Sequence, residues 1–123
     1  MSLSVHPTSA RADGSRRSAL TTLVRDESAG TALVLRGEAD SFTAPVLADA
    51  LSAVAASRSG DVVIDLAEVD FLDTAAVQVL SMWQEVLDRQ RRTLTFRSPS
   101  RLAALVLDYF GLRGVIEAVR VEA

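Results

Sequence analysis

Residues 19–36 show the pattern of polar and apolar positions that is typical of β-strands. Between positions 19 and 25, Leu20, Thr22 and Val24 alternate with Thr21, Leu23 and Arg25, as on the two sides of a strand. The turn-forming stretch 27–30 follows, and a second apolar run covers 31–36. Two such runs joined by a short turn predict a β-hairpin. The preceding residues, 1–18, show no hydrophobic period, and we expect them to form a flexible leader.

A second kind of pattern begins at residue 61. The run 61–66, DVVIDL, is rich in β-branched residues and bounded by polar ones, which is typical of a strand buried on both faces. We therefore expect Val63 and Ile64 in the core. Residues 67–72 predict a short loop, and 93–97 predict a further strand.

Three other stretches carry apolar residues at helical spacing. The first begins after Thr43, whose hydroxyl is expected to cap it, has Pro45 in its first turn and ends before Ser59-Gly60. The second covers about 74–90. Its outer face is expected to carry the polar residues Gln78, Gln84, Glu85, Asp88 and Arg89.

The third helix is expected to follow Ser100 as its N-cap and to end at Gly111. Its apolar residues are Leu102, Leu105, Val106 and Tyr109. The order is thus β-β-α-β-α-β-α, and the tail up to residue 123 could form a strand, a helix or both. This order predicts a single α/β domain over 19–123, with a small mixed sheet of four to five strands and three to four helices.

The composition narrows the possible chemistry. The chain has no cysteine and no lysine, and its one histidine, His6, lies in the expected leader. Thiol catalysis, Schiff-base chemistry and a histidine-based triad in the folded part are therefore excluded. The chain contains no run of about 18 apolar residues, so the sequence predicts no membrane span. The net charge of −3 argues against a nucleic-acid partner, and we expect a cytoplasmic protein.

Carboxylates are the remaining candidates for catalysis. Asp65, Asp70 and Asp73 follow one another at the end of the central strand. Ligand sites in α/β proteins form at the carboxyl ends of parallel strands. A carboxylate-based metal hydrolase is therefore an alternative hypothesis of a different class, although the folded part offers no histidine ligand.

Asp73 and Thr74 mark the start of the second helix. A carboxylate at the N-cap pairs with unsatisfied backbone N–H groups and with the positive end of the helix dipole. Thr74 then lies in the first turn, where its hydroxyl is expected to face solvent. Thr74 is either a structural residue of the helix start or a residue whose phosphorylation would change the surface that a partner contacts.

Three motifs carry a family resemblance. They are, in chain order, Leu35-Arg36-Gly37-Glu38-Ala39-Asp40 with Thr43-Ala44-Pro45, then Val62-Val63-Ile64-Asp65-Leu66 to Asp70-Phe71-Leu72-Asp73-Thr74, and finally Asp108-Tyr109-Phe110-Gly111-Leu112. Together they resemble the STAS domains of anti-sigma factor antagonists and of sulfate-type transporter tails. The resemblance implies a non-enzymatic module, without a cofactor, that binds a kinase-like anti-sigma factor through the helix after Asp73.

The resemblance also implies which residues take part. In the antagonist branch the phosphoacceptor is usually the second residue after the aspartate, and here Ala75 occupies that position. Thr74 is therefore the candidate for phosphorylation. The implied partner-binding residues are Asp40, Asp70, Asp73, Thr74, Ala75, Ala76 and Gln78. The same region is similar to STAS subunits of lipid-transport ABC systems and to chemotaxis-associated STAS proteins, so an accessory subunit that binds an ABC ATPase is the main alternative. We expect a monomer or a weak dimer.

Overall fold

The structure, a computed structural model, describes residues 19–116. The expected leader at 1–18 and the end of the tail, 117–123, lie outside the described residues. The elements are β1 Leu20–Glu27, β2 Gly30–Ala39, α1 Ala44–Ser57, β3 Asp61–Leu72, α2 Thr74–Arg89, β4 Leu94–Arg97, α3 Arg101–Tyr109 and β5 Val115–Ile116.

All strands of the described part form one sheet, in the order β1-β2-β3-β4-β5. β1 runs antiparallel to β2 through a turn that pairs Glu27 with Gly30, so the predicted hairpin is confirmed. The later pairs are parallel, which confirms the mixed sheet. The ambiguous tail contributes a short strand, β5, in which Val115 pairs with Phe96.

One face of the sheet carries the helices. Consecutive strands are neighbours from β2 to β5, so right-handed crossovers bring α1, α2 and α3 to the same face. In the middle of this face Leu33, Ile64 and Phe96 align across β2, β3 and β4, and each is 0% exposed. Val63 points to the opposite face and is 9% exposed. The prediction that Val63 and Ile64 are buried is therefore confirmed.

β3 is longer than its sequence pattern predicts. The prediction of a loop over 67–72 is wrong, because β3 stays paired with β2 as far as Leu72, which lies opposite Ala39. Irregularities between Val34 and Arg36 and between Gly37 and Glu38 shift the register. Such shifts break the alternation of buried and exposed side chains by which a strand is recognised in a sequence.

An ion cluster crosses the face of the sheet opposite the helices. Arg97 Nη1 donates to Glu27 Oε2 at 3.0 Å, and Nη2 donates to Oε1 at 2.8 Å. Asp65 Oδ2 lies 3.8 Å from the same guanidinium. The hydrogen bonds from Arg97 hold the pKa of Glu27 below its usual value. The cluster ties β1 to β3 and β4, so it braces the sheet across its width.

A second arginine closes the C-terminal end of α1. Arg92 donates from Nη1 to Ala55 O at 3.2 Å, from Nη2 to Arg58 O at 2.8 Å and from Nε to Gly60 O at 2.8 Å. Ala55 lies in the last turn of α1, Arg58 is its C-cap residue and Gly60 precedes β3, so Arg92 caps the end of the helix from a distant part of the chain. Arg58 itself lies 2.8 Å from Asp26, an ion pair that lowers the pKa of Asp26 and raises that of Arg58.

Gln84 is not on the outer face of α2, where the sequence analysis placed it. Its side chain is 6% exposed, and Nε2 donates to Leu94 O at 2.9 Å and to Arg113 O at 3.0 Å. Gln84 thus joins α2 to the start of β4 and to the segment before β5. The buried amide is tolerated because both N–H groups have partners.

α3 begins and ends as predicted, and it buries only part of its apolar residues. Ser100 Oγ accepts a hydrogen bond from Ala103 N at 3.0 Å, and Gly111 has a φ of +79° just past the helix. The predicted cap and end are therefore confirmed. The residues of α3 that the fold buries are Ala103 and Leu107. Leu102, Leu105 and Tyr109, which the sequence analysis named among the apolar residues of this helix, point outward.

Candidate functional site

The carboxyl ends of β2 and β3 lie side by side and position the start of α2. β3 ends at Leu72, and the next residue, Asp73, donates from its backbone N to Ala39 O at 3.0 Å. This bond holds the start of α2 against the end of β2. The loop that leads from β2 into α1 therefore borders the first turn of α2.

Asp73 caps α2 as predicted. Its backbone is extended, with φ −114° and ψ −177°, and its Oδ1 accepts from Ala75 N at 2.9 Å and from Ala76 N at 3.4 Å. Two unpaired backbone donors at the positive end of the helix dipole are thus satisfied by the protein itself. The rigid cap holds the residue that follows, Thr74, in a defined position.

Thr74 is exposed and so is Gln78, one turn further along α2. Asp70, near the end of β3, is also exposed, and Ala75 is half-buried. These four residues can meet a partner as the sequence analysis expects. Ala76 is different, because it is 0% exposed and packs into the core, so a partner cannot contact its side chain in this conformation.

Asp40 shapes the neighbouring loop from a buried position. It is 9% exposed, and its Oδ1 accepts from Phe42 N at 2.9 Å and from Thr43 N at 3.1 Å. Thr43 does not cap α1 with its side chain as predicted. Its Oγ1 instead donates to Glu38 O at 2.7 Å and accepts from Asp40 N at 2.9 Å. The cap prediction is wrong because these partners across the turn are closer to the hydroxyl.

Two aromatic residues at the carboxyl ends of β2 and β3 were not assigned to the site from the sequence. Phe42, in the loop before α1, is 70% exposed, and Phe71, at the end of β3, is 49% exposed. Phe71 pairs with Glu38 on β2, just before that loop. Exposed phenylalanines on the edge that presents Thr74 are unusual for a free surface and typical of an interface. Phe42 lies between Ser41 and Thr43, outside any hydrophobic period, and this was the available signal for it.

The three aspartates considered for a metal do not come together. Asp65 lies on the face opposite the helices and accepts from Ala67 N at 3.0 Å, whereas Asp73 caps α2. Because the strand continues to residue 72, Asp65 and Asp73 are separated by about 25 Å of extended chain. Within residues 19–116 no three carboxylate or imidazole groups are placed to hold a metal ion. The prediction that Asp65, Asp70 and Asp73 cluster at the end of the strand is therefore wrong.

None of the helices formed by residues 19–116 is long and apolar enough to cross a membrane.

Comparison with known proteins gives one family and related structures. The family model described as "Mlab, STAS domain" matches residues 22–118. The crystal structure of an anti-sigma factor antagonist from Mycobacterium paratuberculosis is 27% identical, with a TM-score of 0.66, and the match covers 84% of this chain and 87% of that chain. No curated protein matches the chain.

A second solved structure is more distant. The anti-sigma factor antagonist SpoIIAA, in its unphosphorylated form, is 15% identical, with a TM-score of 0.64, and the match covers 74% of this chain and 81% of that chain. At this identity the likeness concerns the fold alone. It agrees with the mixed sheet and the three helices described above.

Proposed function

This chain belongs to the STAS domain family, whose members are non-enzymatic interaction modules, and from that premise we propose that it is an anti-sigma factor antagonist. It acts in the bacterial cytoplasm by binding a kinase-like anti-sigma factor. The solved antagonist that is 27% identical over 84% of this chain supports this role. The proposal needs neither a cofactor nor a metal.

The observation that carries the proposal is the arrangement around Thr74. A capped helix start presents Thr74 at the edge of the sheet that also carries the exposed side chains of Phe42 and Phe71. Aromatic side chains contribute strongly to protein interfaces, since they bury a large area with few rotatable bonds. The docking surface therefore consists of Phe42, Asp70, Phe71, Thr74 and Gln78, and we call it the Thr74 surface.

Phosphorylation of Thr74 would control this surface. A phosphate adds a charge of about −1.5 to −2 at neutral pH. The helix dipole tolerates that charge, so the fold survives, but Asp70 and Asp73 already make this region acidic. A partner would have to remove water from the added charge without a basic residue of this chain to offset it, since residues 69–78 contain none. Binding is therefore weakened.

Calorimetric titration with a kinase-like anti-sigma factor from the same organism tests the proposal. Thr74→Glu is expected to bind at least about tenfold more weakly than the wild type, which corresponds to about 1.4 kcal/mol. Ser52→Glu is the matched control, because Ser52 is an exposed hydroxyl residue on the outer face of α1. It introduces the same charge elsewhere and is expected to bind normally. Circular dichroism checks that both variants fold.

Thr74→Ala separates two ways in which the hydroxyl could act. If phosphorylation is the control, removing the hydroxyl leaves binding nearly unchanged and abolishes the mass increase seen after incubation with the partner and ATP. If the hydroxyl itself bonds to the partner, as the lipid-transport ABC alternative suggests, Thr74→Ala also weakens binding. A parallel titration with the ABC ATPase tests that alternative directly. Normal binding by Thr74→Glu would refute the Thr74 surface.

A further inference from the structure

β1 leaves one edge of the sheet open. It is the first strand in the order β1-β2-β3-β4-β5, so within residues 19–116 it pairs with β2 alone. The strand has eight residues, contains no proline, and pairs with β2 without a register shift from Leu20 to Glu27. Proteins commonly protect an edge with a very short strand, a proline, a bulge or a lysine. β1 has none of these, so its edge favours pairing with a further strand.

The pairing with β2 determines which backbone groups of β1 point to this edge. Glu38 N donates to Ala19 O at 2.9 Å, so these two residues form a hydrogen-bonded pair. Hydrogen-bonded and non-hydrogen-bonded pairs alternate along an antiparallel ladder. Every second residue of β1 therefore turns its N–H and C=O groups away from β2. These residues are Leu20, Thr22, Val24 and Asp26.

An exposed leucine lies at the centre of this open edge. Leu23 is 50% exposed and lies opposite Val34, on the face of the sheet that carries no helix of the described part. Its backbone groups are bonded to β2, so only its side chain is available to a further strand. A single exposed leucine is ordinary on a protein surface. Leu23 becomes informative through its position, midway between the outward-pointing groups of Thr22 and Val24.

The side chains of β1 favour one way of pairing two copies of this strand. Antiparallel copies are related by a two-fold axis, which can pass through different residues. With the axis at Leu23, Thr22 of each copy forms a hydrogen-bonded pair with Val24 of the other, and the two leucines face each other. Arg25 then lies opposite the uncharged Thr21. With the axis at Arg25, two like charges would oppose each other, which is unfavourable.

We propose that a second copy of this chain pairs with the open edge of β1, antiparallel and with the two-fold axis at Leu23. The sheets of the two copies then form one continuous sheet. The contact consists of backbone hydrogen bonds along β1 and of the two facing leucines. A standard interface uses about 20 to 30 residues of each partner, and β1 has eight. The protein is therefore a monomer at micromolar concentration and a dimer at millimolar concentration. This inference does not depend on the proposed function.

Sedimentation equilibrium of the full chain, from micromolar to millimolar concentration, tests the pairing. Thr22→Pro removes an N–H group that points to the open edge, and its bonds with β2 are not affected because this N–H takes no part in them. The variant is expected to raise the dissociation constant of the dimer about tenfold or more. Thr22→Val is the matched control, because it keeps the N–H group, and its constant is expected to stay within about twofold of the wild type. Circular dichroism checks that both variants fold.

Cysteine cross-linking tests the position of the axis, and it does not depend on whether Thr22→Pro folds. The chain has no cysteine, so Leu23→Cys introduces a single thiol in each copy. In the proposed pairing the two Cα atoms at this position are about 4.5 Å apart, which is within the range of a disulfide. Oxidation in air is expected to give a disulfide-linked dimer. Arg25→Cys is the matched control on the same face of β1, because its two Cα atoms would be more than about 13 Å apart.

Each outcome decides about the inference. A dimer that Thr22→Pro weakens, together with cross-linking of Leu23→Cys but not of Arg25→Cys, supports it. A wild type that stays monomeric at millimolar concentration, or equal cross-linking of the two cysteine variants, overturns it. If residues 1–18 occupied the edge, a chain without them would dimerise and the full chain would not, which also overturns it. The titrations of Thr74→Glu test the proposed function separately.

Discussion

Replacing Ile64 with alanine is expected to be among the most destabilising single changes in the core. Ile64 is 0% exposed on the helix-bearing face of β3, between Leu33 on β2 and Phe96 on β4, which are also 0% exposed. Removing three carbon atoms costs about 2.4 kcal/mol at about 0.8 kcal/mol for each buried methylene. Both neighbours are held by paired strands and cannot move in, so a cavity remains. We expect a total loss of about 3–5 kcal/mol.

Urea unfolding measures this loss. Trp83, the one tryptophan of the chain, packs against the core from α2 and reports tertiary structure by fluorescence, while circular dichroism reports secondary structure. Coincident transitions justify a two-state free energy. Leu23→Ala is the control, since Leu23 is 50% exposed and its loss is expected to be below about 1 kcal/mol.

A small loss of stability in Ile64→Ala would contradict the burial of this side chain. If Ile64→Ala lost less than about 1 kcal/mol with an unchanged denaturant slope, Ile64 would not lie in a closed core. β3 would then not be the central strand, and the position of α2 and Thr74 relative to it would have to be reconsidered.

Two other predictions concern arginine side chains that brace the fold. Arg92→Met is expected to lower the free energy of unfolding by about 1–3 kcal/mol and to speed hydrogen exchange in the last turn of α1, because three carbonyls lose their donor. The control is Arg89→Met, which removes an exposed arginine. Equal effects of the two changes would contradict the capping role. Because Arg97 lowers the pKa of folded Glu27, ionised Glu27 stabilises the protein above its unfolded pKa of about 4.3, and this stabilisation is lost as the pH falls through the lower, folded pKa. Glu27→Gln is therefore expected to be less stable than the wild type at neutral pH, and the difference in free energy of unfolding is expected to disappear under acidic conditions. A difference that does not depend on pH in urea unfolding would contradict this.

The start of the candidate site was predictable because it depends on neighbouring residues. Asp73 caps α2 through the N–H groups two and three residues further on, and Ser100 caps α3 in the same way. Capping of this kind is decided within one turn of helix, so the sequence contains all that it requires. Thr74 followed from the same local pattern and from the family resemblance.

The full extent of the site was not predictable in this way. Phe42 and Phe71 are 29 positions apart in sequence, and the pairing of β2 with β3 brings them to the same edge. Ala76 was expected on the surface, but the packing of α2 on the sheet buries it. The assignment of such residues depends on contacts between distant segments.

The sequence by itself determined the order of the strands and helices, the central strand around Ile64 and the caps of α2 and α3, because each depends on local periodicity or on hydrogen bonds within a few residues. Only the tertiary structure decided which side of an almost entirely apolar helix is buried, as α3 shows with Leu102 exposed and Leu107 in the core. Likewise, only strand pairing extended β3 to Leu72, and only packing gave Gln84 and Arg92 their distant carbonyl partners. The physical reason is that these features depend on which distant groups are close enough to exclude water or to accept a hydrogen bond.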